Sequence, residues 1–378
     1  MPVRKLRAAL TAILLGTAAA TAATLALSVP AEAVTVSAKV GPLLNEAKQL
    51  IAAKNFKGAQ AKLNEAEAAA STADDRAVIN QMKSAIAISS ADPNTPGGAK
   101  AKFAQDYSAG KWKEVIADAE YLRKNNVFDA QSQLVVGQAY YKAGDYAGCV
   151  KYTKTLGGND TALALQARCA YEIGDDATQR AALEQLVART GKAEYWVGLL
   201  KLGERARGLS DHNTLDINRL RLLTNAASTK DDYISLAQFA LQFGFAAEAA
   251  NVLQKGVEAK LLTDDRSQRL LATAKQQAAA TQAKEAQTLA AAKAAPQGDD
   301  LVKVGENMIG EGKAKDAIGV IQEGMKKPLK DPNNAQIRLG QAYLAAGQKA
   351  EAKAAFSKVK APEKDAMVAH LWFLAASH

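Results

Sequence analysis

Histidine is the side chain that most often moves protons or holds metal ions near neutral pH, and it is scarce in this chain. The 378 residues contain only His212, His370 and His378, and none of them stands in an H-E-x-x-H or related metal-ligand spacing. A serine or cysteine nucleophile needs a neighbouring base, and the sequence has no G-x-S-x-G elbow. The sequence therefore predicts no metal site, no cofactor and no catalytic residue.

Paired carboxylates are the other groups that could perform acid–base chemistry. Four pairs occur, at Asp74-Asp75, Asp175-Asp176, Asp231-Asp232 and Asp264-Asp265. Each pair stands at or just before a predicted helix, where a carboxylate accepts hydrogen bonds from free N–H groups and interacts favourably with the helix dipole. The glycine-rich stretch at residues 305–313 lacks the lysine and hydroxyl that a phosphate-binding loop requires at the matching positions. We therefore expect a protein that is not an enzyme and has no small-molecule substrate.

The first 33 residues have the layout of a secretory signal peptide. Three basic residues precede an uncharged apolar stretch at residues 8–29, and Ala31-Glu32-Ala33 forms an A-x-A cleavage site. We expect cleavage near Ala33/Val34 and a periplasmic or secreted protein. Because the apolar stretch is long, an uncleaved inner-membrane anchor is the alternative.

The composition is that of a globular helical protein. Apolar residues make up 48% and charged residues 23%, whereas there are only nine prolines and 6% aromatic residues. The net charge is +9, but the basic residues are interspersed with acidic ones and form no run of like charge. This charge could attract an anionic envelope polymer. A nucleic-acid partner is not expected, because the basic residues are not clustered with exposed aromatic ones.

An internal repeat organises the chain. Residues 134–146 and 337–347 share a glycine, a tyrosine three residues later and a second glycine seven residues after the first. The second glycine recurs at Gly110, Gly144, Gly174, Gly244, Gly312 and Gly347. Two of these intervals are about twice the others, so each should contain one degenerate unit. Small residues allow two helices to approach closely, and glycine suits the left-handed turn between them.

In these units the chain resembles the tetratricopeptide repeat (TPR) family. The clearest match, in residues 333–362, rests on Gly340, Tyr343, Gly347, Ala352, Phe356 and Pro362, and further matches cover residues 298–328, 230–257 and 130–153. The resemblance implies an all-α fold, a right-handed α-solenoid of about eight antiparallel helix pairs with a C-terminal capping helix. Each unit of such a solenoid buries its apolar face only against its neighbours.

The sequence pattern also predicts the boundaries of segments with different character. We expect a signal peptide at 1–33, an N-terminal TPR-like unit at 34–91, a loop at 92–98, a central TPR-like array at 99–262, an Ala-rich helical segment at 263–298, and a C-terminal TPR pair with its capping helix at 299–378. Apolar spacings near three and four predict a helix pair at 192–228. In the last helix Trp372 is expected in the core or cap, and an exposed anchor for a partner is the alternative.

Cys149 and Cys169 are the only cysteines, and the repeat places them on neighbouring helices. An oxidising compartment would permit a disulfide, which would close a loop of about 20 residues and contribute about 3 kcal/mol. Two buried free thiols are the alternative.

The resemblance also implies where a partner would bind. In TPR proteins the first helix of each unit lines a concave groove, which holds an extended peptide or a partner helix. The matching positions here are Gln138, Tyr141, Lys142, Arg168, Tyr171, Glu172, Gln238, Gln242 and Gln341. Tyrosine and arginine suit a binding surface because they offer a large contact area with few rotamers to fix.

These observations favour an exported scaffold that binds a protein or an extended peptide in the periplasm or cell envelope. Two alternatives stay open. One is a structural envelope protein that assembles with itself, and the other is an adaptor tethered to the membrane by an uncleaved N-terminal anchor.

Overall fold

The computed structural model describes residues 36–378, so the predicted signal peptide and its cleavage site lie outside the described part. All regular elements in that part are helices. Their bounds are α1 Gly41–Ala52, α2 Phe56–Ala69, α3 Ala73–Ser89, α4 Pro96–Ser108, α5 Trp112–Lys124, α6 Ala130–Lys142, α7 Tyr146–Thr153, α8 Asp160–Glu172, α9 Asp176–Thr190, α10 Ala193–Glu204, α11 Asp211–Leu223, α12 Lys230–Phe243, α13 Ala246–Glu258, α14 Asp265–Ala283, α15 Glu285–Ala294, α16 Asp299–Gly310, α17 Ala314–Gly324, α18 Pro332–Ala345, α19 Lys349–Phe356 and α20 Glu363–Ala375. None of these helices is both long enough and apolar enough to cross a membrane.

The chain divides into two compact units, one ending at residue 105 and the other beginning at residue 106. The boundary falls within α4, which itself begins at Pro96, inside the segment for which the sequence predicts a loop.

The first unit packs α1, α2 and α3 around a small apolar core. Its buried side chains are Val40, Leu44, Ala47, Ala59, Leu63, Ala66, Ile79 and Ile86. Asp75 is buried at the start of α3, where its carboxylate accepts hydrogen bonds from the backbone N–H groups of Ser37, Ser71 and Thr72. These bonds, above all the one from Ser37, hold the pKa of Asp75 well below its usual range. This carboxylate is therefore a helix cap, as the sequence predicts.

From α6 to α13 the second unit is a series of helix pairs. Within it α6 packs on α7, α8 on α9, α10 on α11, and α12 on α13. The six turn glycines predicted from the repeat all have positive φ, a conformation that costs glycine little because it has no Cβ. Gly208, between α10 and α11, has φ +73° and divides the long interval from Gly174 to Gly244 into two ordinary ones. The predicted helix pair at 192–228 is present, although its six-residue turn at 205–210 is longer than the turns of the neighbouring pairs.

Small residues do allow the close contacts that the repeat pattern predicts. A Cβ added to Gly340 in α18 would lie 2.4 Å from Cε1 of Phe356 in α19. A Cβ on Gly305 in α16 would lie 2.4 Å from Cγ1 of Ile321 in α17. Real Cβ atoms do not approach other heavy atoms this closely. Glycine therefore allows the short distance between the two helices in both of these pairs.

The Ala-rich segment departs from regular stacking. It forms two helices, of which α14 packs on α13 and α15 packs on α16. However, α16 also packs directly against α13, so the neighbouring pairs meet without α14 and α15 between them.

The C-terminal helices fold back onto the middle of the second unit. Helix α20 follows α19 and packs on it, as expected for a cap, but it also packs against α9, α11 and α18. Its Trp372 is 5% exposed and stacks on Phe356 in a core that also contains Trp196, Leu200 and Leu220. Trp372 therefore lies in the core rather than on the surface.

Candidate partner-binding surface

Capping residues fix the ends of the helices that carry most of the predicted binding positions. The Asp129 carboxylate accepts a hydrogen bond from the Ser132 N–H at the start of α6, and Asp145 does the same for Gly148 at the start of α7. Asn159 caps α8 through the Ala162 N–H. Because each cap satisfies an otherwise unpaired donor, these helices start at defined residues.

A disulfide connects the second helix of one pair to the first helix of the next. Cys149 in α7 and Cys169 in α8 are bonded, with their Cα atoms 6.1 Å apart, and both are fully buried. They lie in a small core with Val150, Leu165 and Ala170. The bridge ties α8 to α7 one residue away from Arg168.

Three of the predicted binding residues are in contact on α6 and α8. The guanidinium of Arg168 lies 4.2 Å from the centre of the Tyr141 ring, a cation–π arrangement. The Tyr141 hydroxyl donates a hydrogen bond of 3.2 Å to the Glu172 carboxylate. Partial burial raises the pKa of Tyr141, against the opposing effect of Arg168, so the hydroxyl remains a donor at neutral pH. The three side chains hold one another in place before any partner arrives.

Exposed apolar side chains adjoin this cluster. Tyr171 is 39% exposed and Ile173 is 45% exposed, and both lie next to Glu172 in the chain. We call Tyr141, Arg168, Tyr171, Glu172 and Ile173 the open surface. Ile173 was not among the predicted residues because it follows α8 and falls outside the first-helix pattern of the repeat.

The other predicted residues lie at separate places. Gln138 is half-buried and Lys142 is exposed on α6. On α12, Gln238 is exposed, whereas Gln242 donates a hydrogen bond of 2.8 Å to Asp211 at the start of α11. Gln238 and Gln242 are therefore not part of the open surface.

Gln341 is buried, whereas the sequence predicts an exposed position on a groove. It is 5% exposed, and its amide donates a hydrogen bond of 2.8 Å to Asp216 of α11 while its oxygen accepts one from Arg338. Asp216 of α11 therefore contacts both Arg338 and Gln341 of α18. The repeat pattern alone could not predict this contact, because α11 lies more than 100 residues earlier in the chain than Gln341.

The contact between α11 and α18 is centred on buried charges. Arg338 is fully buried and pairs with both oxygens of Asp216, at 2.5 Å, and with Glu306 of α16 at 3.0 Å. Arg219 of α11 pairs with Asp216 at 3.3 Å, with Glu306 at 2.7 Å and with Glu248 of α13 at 2.6 Å. We call these five residues the ionic cluster.

The charges of the ionic cluster stabilise one another. Burial by itself would raise the pKa of Asp216, but Arg338, Arg219 and Gln341 together outweigh it and the pKa is lowered. Burial likewise opposes the charge of Arg219, yet the Glu248 and Glu306 carboxylates hold its pKa well above the usual range. Asp216 and Arg219 are therefore ionised at neutral pH.

No family model matches the chain, and no curated protein matches its sequence. Among solved structures the chain is similar to a tetratricopeptide repeat protein of Parabacteroides merdae, with 13% identity, 73% of this chain and 97% of that chain covered, and a TM-score of 0.26. It is also similar to a thermophilic TPR protein of Thermus thermophilus, with 16% identity, 61% and 89% covered, and a TM-score of 0.18. The fold is defined by the glycine turns and helix pairs described above. The fold is a TPR-like array.

The ionic cluster of the TPR-like array was missed by the sequence analysis, although a signal was present. Asp216 stands between Leu215 and Ile217, and Arg338 stands between Ile337 and Leu339. A single charge inside an apolar stretch of a helix is seldom fully buried unless it has a partner. The two residues could have been proposed as a pair on that basis.

Proposed function

We propose that this chain is an exported, non-catalytic scaffold that binds a protein partner through the open surface on α6 and α8. The contact of Arg168 with the Tyr141 ring and the hydrogen bond from the Tyr141 hydroxyl to Glu172 carry the proposal. Aromatic and arginine side chains whose rotamers are already fixed lose little entropy when a partner binds them. Export to the periplasm or cell envelope rests on the N-terminal sequence pattern.

A protein partner fits this surface better than an anionic polymer does. The open surface has charges of both signs, Arg168 and Glu172, and apolar area from Tyr171 and Ile173. A polyanion would favour a surface of one sign, whereas a partner helix or peptide can match mixed charges and apolar contacts together.

The experiment is capture of the partner by chemical cross-linking to the chain in its own envelope fraction. We expect the triple variant Tyr141→Ala, Arg168→Ala and Tyr171→Ala to recover at least tenfold less of the captured partner. The control is Thr273→Ala, Gln276→Ala and Gln277→Ala on the exposed side of α14, which should capture as much partner as the wild type. Undiminished capture by the first variant would disprove the site. A measured mass that rises with concentration, without any captured partner, would favour self-assembly instead.

Export is tested separately by N-terminal sequencing of the protein from its own cell. A mature chain that begins at or near Val34 is expected. A chain that still begins at residue 1 and stays with the membrane would favour the tethered adaptor.

A further inference from the structure

His212 lies in the first turn of α11, on the same face of that helix as two residues of the ionic cluster. Asp216 and Arg219 follow it by four and seven residues, and side chains at these spacings stand one above another on a helix. The half-buried ring of His212 lies against that of Phe243 in α12, with the ring centres 4.0 Å apart. A change in the charge of His212 would therefore act on α12 and on the ionic cluster.

The surroundings of the His212 ring suit its neutral form. Nδ1 is buried and has no hydrogen-bond partner among the described residues. A neutral imidazole can carry its proton on Nε2 and leave Nδ1 as a lone pair, which needs no acceptor. The protonated ring has an N–H at both nitrogens, so it would place a donor at Nδ1 where none of the described residues accepts it. An unsatisfied buried donor costs free energy, and protonation is therefore opposed.

The charges around His212 do not offset that cost. The positive end of the α11 dipole lies at the first turn, where it disfavours a cation. The guanidinium groups of Arg338 and Arg219 repel a second positive charge, whereas the carboxylates of Glu306 and Asp216 attract one. These two carboxylates already pair with the two arginines. They are therefore not free to hold a protonated imidazole.

Two further carboxylates stand near the start of α11, and each accepts a hydrogen bond from another residue. Asp211 is exposed and accepts one of 2.8 Å from the Gln242 amide of α12. Asp365 of α20 accepts one of 3.1 Å from the Asn213 amide. These bonds tie the first turn of α11 to α12 and to α20.

The balance of these effects makes His212 sensitive to mild acid. Burial, followed by the guanidinium of Arg338, lowers the pKa of His212 from its ordinary value of 6.5. As the pH falls, the unfolded chain therefore takes up this proton before the folded chain does. The contribution of neutral His212 to stability is complete above about pH 6.5 and is lost as the pH falls through the lower pKa of the folded state.

The start of α11 also positions the centre of the ionic cluster. Asp216, one turn after His212, accepts hydrogen bonds from Arg338 and Gln341 of α18. We propose that His212 is an acid-sensitive switch, whose protonation loosens the start of α11 and weakens the contact of α11 with α18. The switch is separate from the open surface and does not depend on the function proposed there.

The first test is the titration of His212 in the folded wild-type chain. NMR signals of the imidazole rings are few, because the chain has only three histidines, and the signal that is missing from His212→Phe belongs to His212. We expect His212 to titrate below pH 6.5. Titration at or above that value would overturn the proposal.

The second test asks where the structure loosens. Hydrogen–deuterium exchange at pH 7.5 and pH 5.5, corrected for the intrinsic effect of pH, compares the amides of α11 and α18 with those of α6 and α8. In the wild type we expect exchange in α11 and α18 to be about tenfold faster at the lower pH, the factor that corresponds to one unit of pKa. Exchange in α6 and α8 should be unchanged. An equal increase in all four helices would contradict a local switch.

Two substitutions assign the effect to His212. His212→Phe keeps a ring against Phe243 and cannot be protonated, so the faster exchange of α11 and α18 at pH 5.5 should disappear. His370→Phe, on the exposed side of α20, should behave as the wild type does. A His212→Phe variant that folds and still shows the faster exchange would disprove the switch. If it does not fold, His212→Gln takes its place in both tests, with the same expected results.

Discussion

Two parts of the second unit differ in the surroundings of one equivalent position, the residue three places before the turn glycine. Tyr141 and Tyr171 stand three residues before a turn glycine and contribute to the open surface. Ile309 and Leu344 stand at the same position of later pairs, are half-buried and line a cavity of about 830 Å³. The difference teaches that a repeat position does not by itself define a binding site. Helices of other pairs surround Ile309 and Leu344, whereas Tyr171 is exposed.

The two parts are also held together differently. The open surface lies on α6 and α8, and the Cys149–Cys169 bridge joins α8 to α7, whereas α11, α13, α16 and α18 are joined by the ionic cluster. A covalent bridge keeps its contribution when salt or pH changes, but a cluster of buried charges is sensitive to the loss of any one of them. Each kind of connection can be broken separately.

The largest effect is expected from Arg338→Met. The substitution leaves Asp216 buried with one fewer partner, and breaking a buried ion pair in this way costs about 3–5 kcal/mol of the free energy of unfolding. Urea denaturation measures it. The control is Arg205→Met, because Arg205 and Asp176 are both exposed, 3.6 Å apart, and should contribute less than about 1 kcal/mol. Adding Asp216→Leu to Arg338→Met should restore part of the loss, and a further loss would contradict the charge argument.

Removal of the bridge should have the next largest effect. The double variant Cys149→Ala and Cys169→Ala should lose about 3 kcal/mol, the value expected for a closed loop of this length. Because the chain has no other cysteine, a reducing agent should lower the urea midpoint of the wild type and leave that of the variant unchanged. Two reactive thiols in the purified, denatured protein would show that the bridge is absent.

A smaller change in stability should distinguish a glycine that packs against a neighbouring side chain from one that has no neighbour within 4 Å. Gly340→Ala should cost about 1–3 kcal/mol, because the added Cβ meets the buried ring of Phe356. Gly319→Ala, in the middle of α17 with nothing within 4 Å of its Cβ, should instead stabilise the protein by about 0.5–1 kcal/mol. Opposite shifts in melting temperature are the expected result. A stabilising Gly340→Ala would mean that α18 and α19 can separate.

The smallest expected effect is a change in stability at alkaline pH that comes from Tyr152. Burial raises the pKa of Tyr152 on α7 to about 12. The unfolded chain then loses this proton first, so the stabilising contribution is complete below about pH 10 and declines as the pH rises through 12. Tyr152→Phe should therefore lose less stability than the wild type between pH 10 and 12, measured by urea midpoints. Near pH 7 it should cost little, because the Tyr152 hydroxyl is buried without a hydrogen-bond partner.

The sequence was most informative where structure depends on near neighbours. The turn glycines mark a backbone conformation that few other residues adopt, so their spacing located the helix pairs directly. Gly208 was overlooked because the residues around it lack the glycine and tyrosine that precede the turn in the clearer units. Gly208 nevertheless has the positive φ of the other turn glycines.

Contacts between distant segments could not be predicted in the same way. Asp216 and Arg338 are 122 positions apart, and no periodic pattern links them. Gln341 donates to the same Asp216 and is buried, although the repeat register assigned it to a groove. The contact of Tyr141 with Arg168 was predictable only in part. Both lie on first helices of adjacent pairs, but the sequence left open whether Cys149 and Cys169, which join α7 to α8, are bridged.

The direct packing of α16 on α13 has a practical consequence for α14 and α15. These two helices occupy one repeat's length of sequence, yet the neighbouring pairs meet without them. Lys284, the single residue between the two helices, is exposed. A fluorescent reporter or affinity label introduced there should leave both the open surface and the cavity intact, which gives the binding experiments a place to attach their probe.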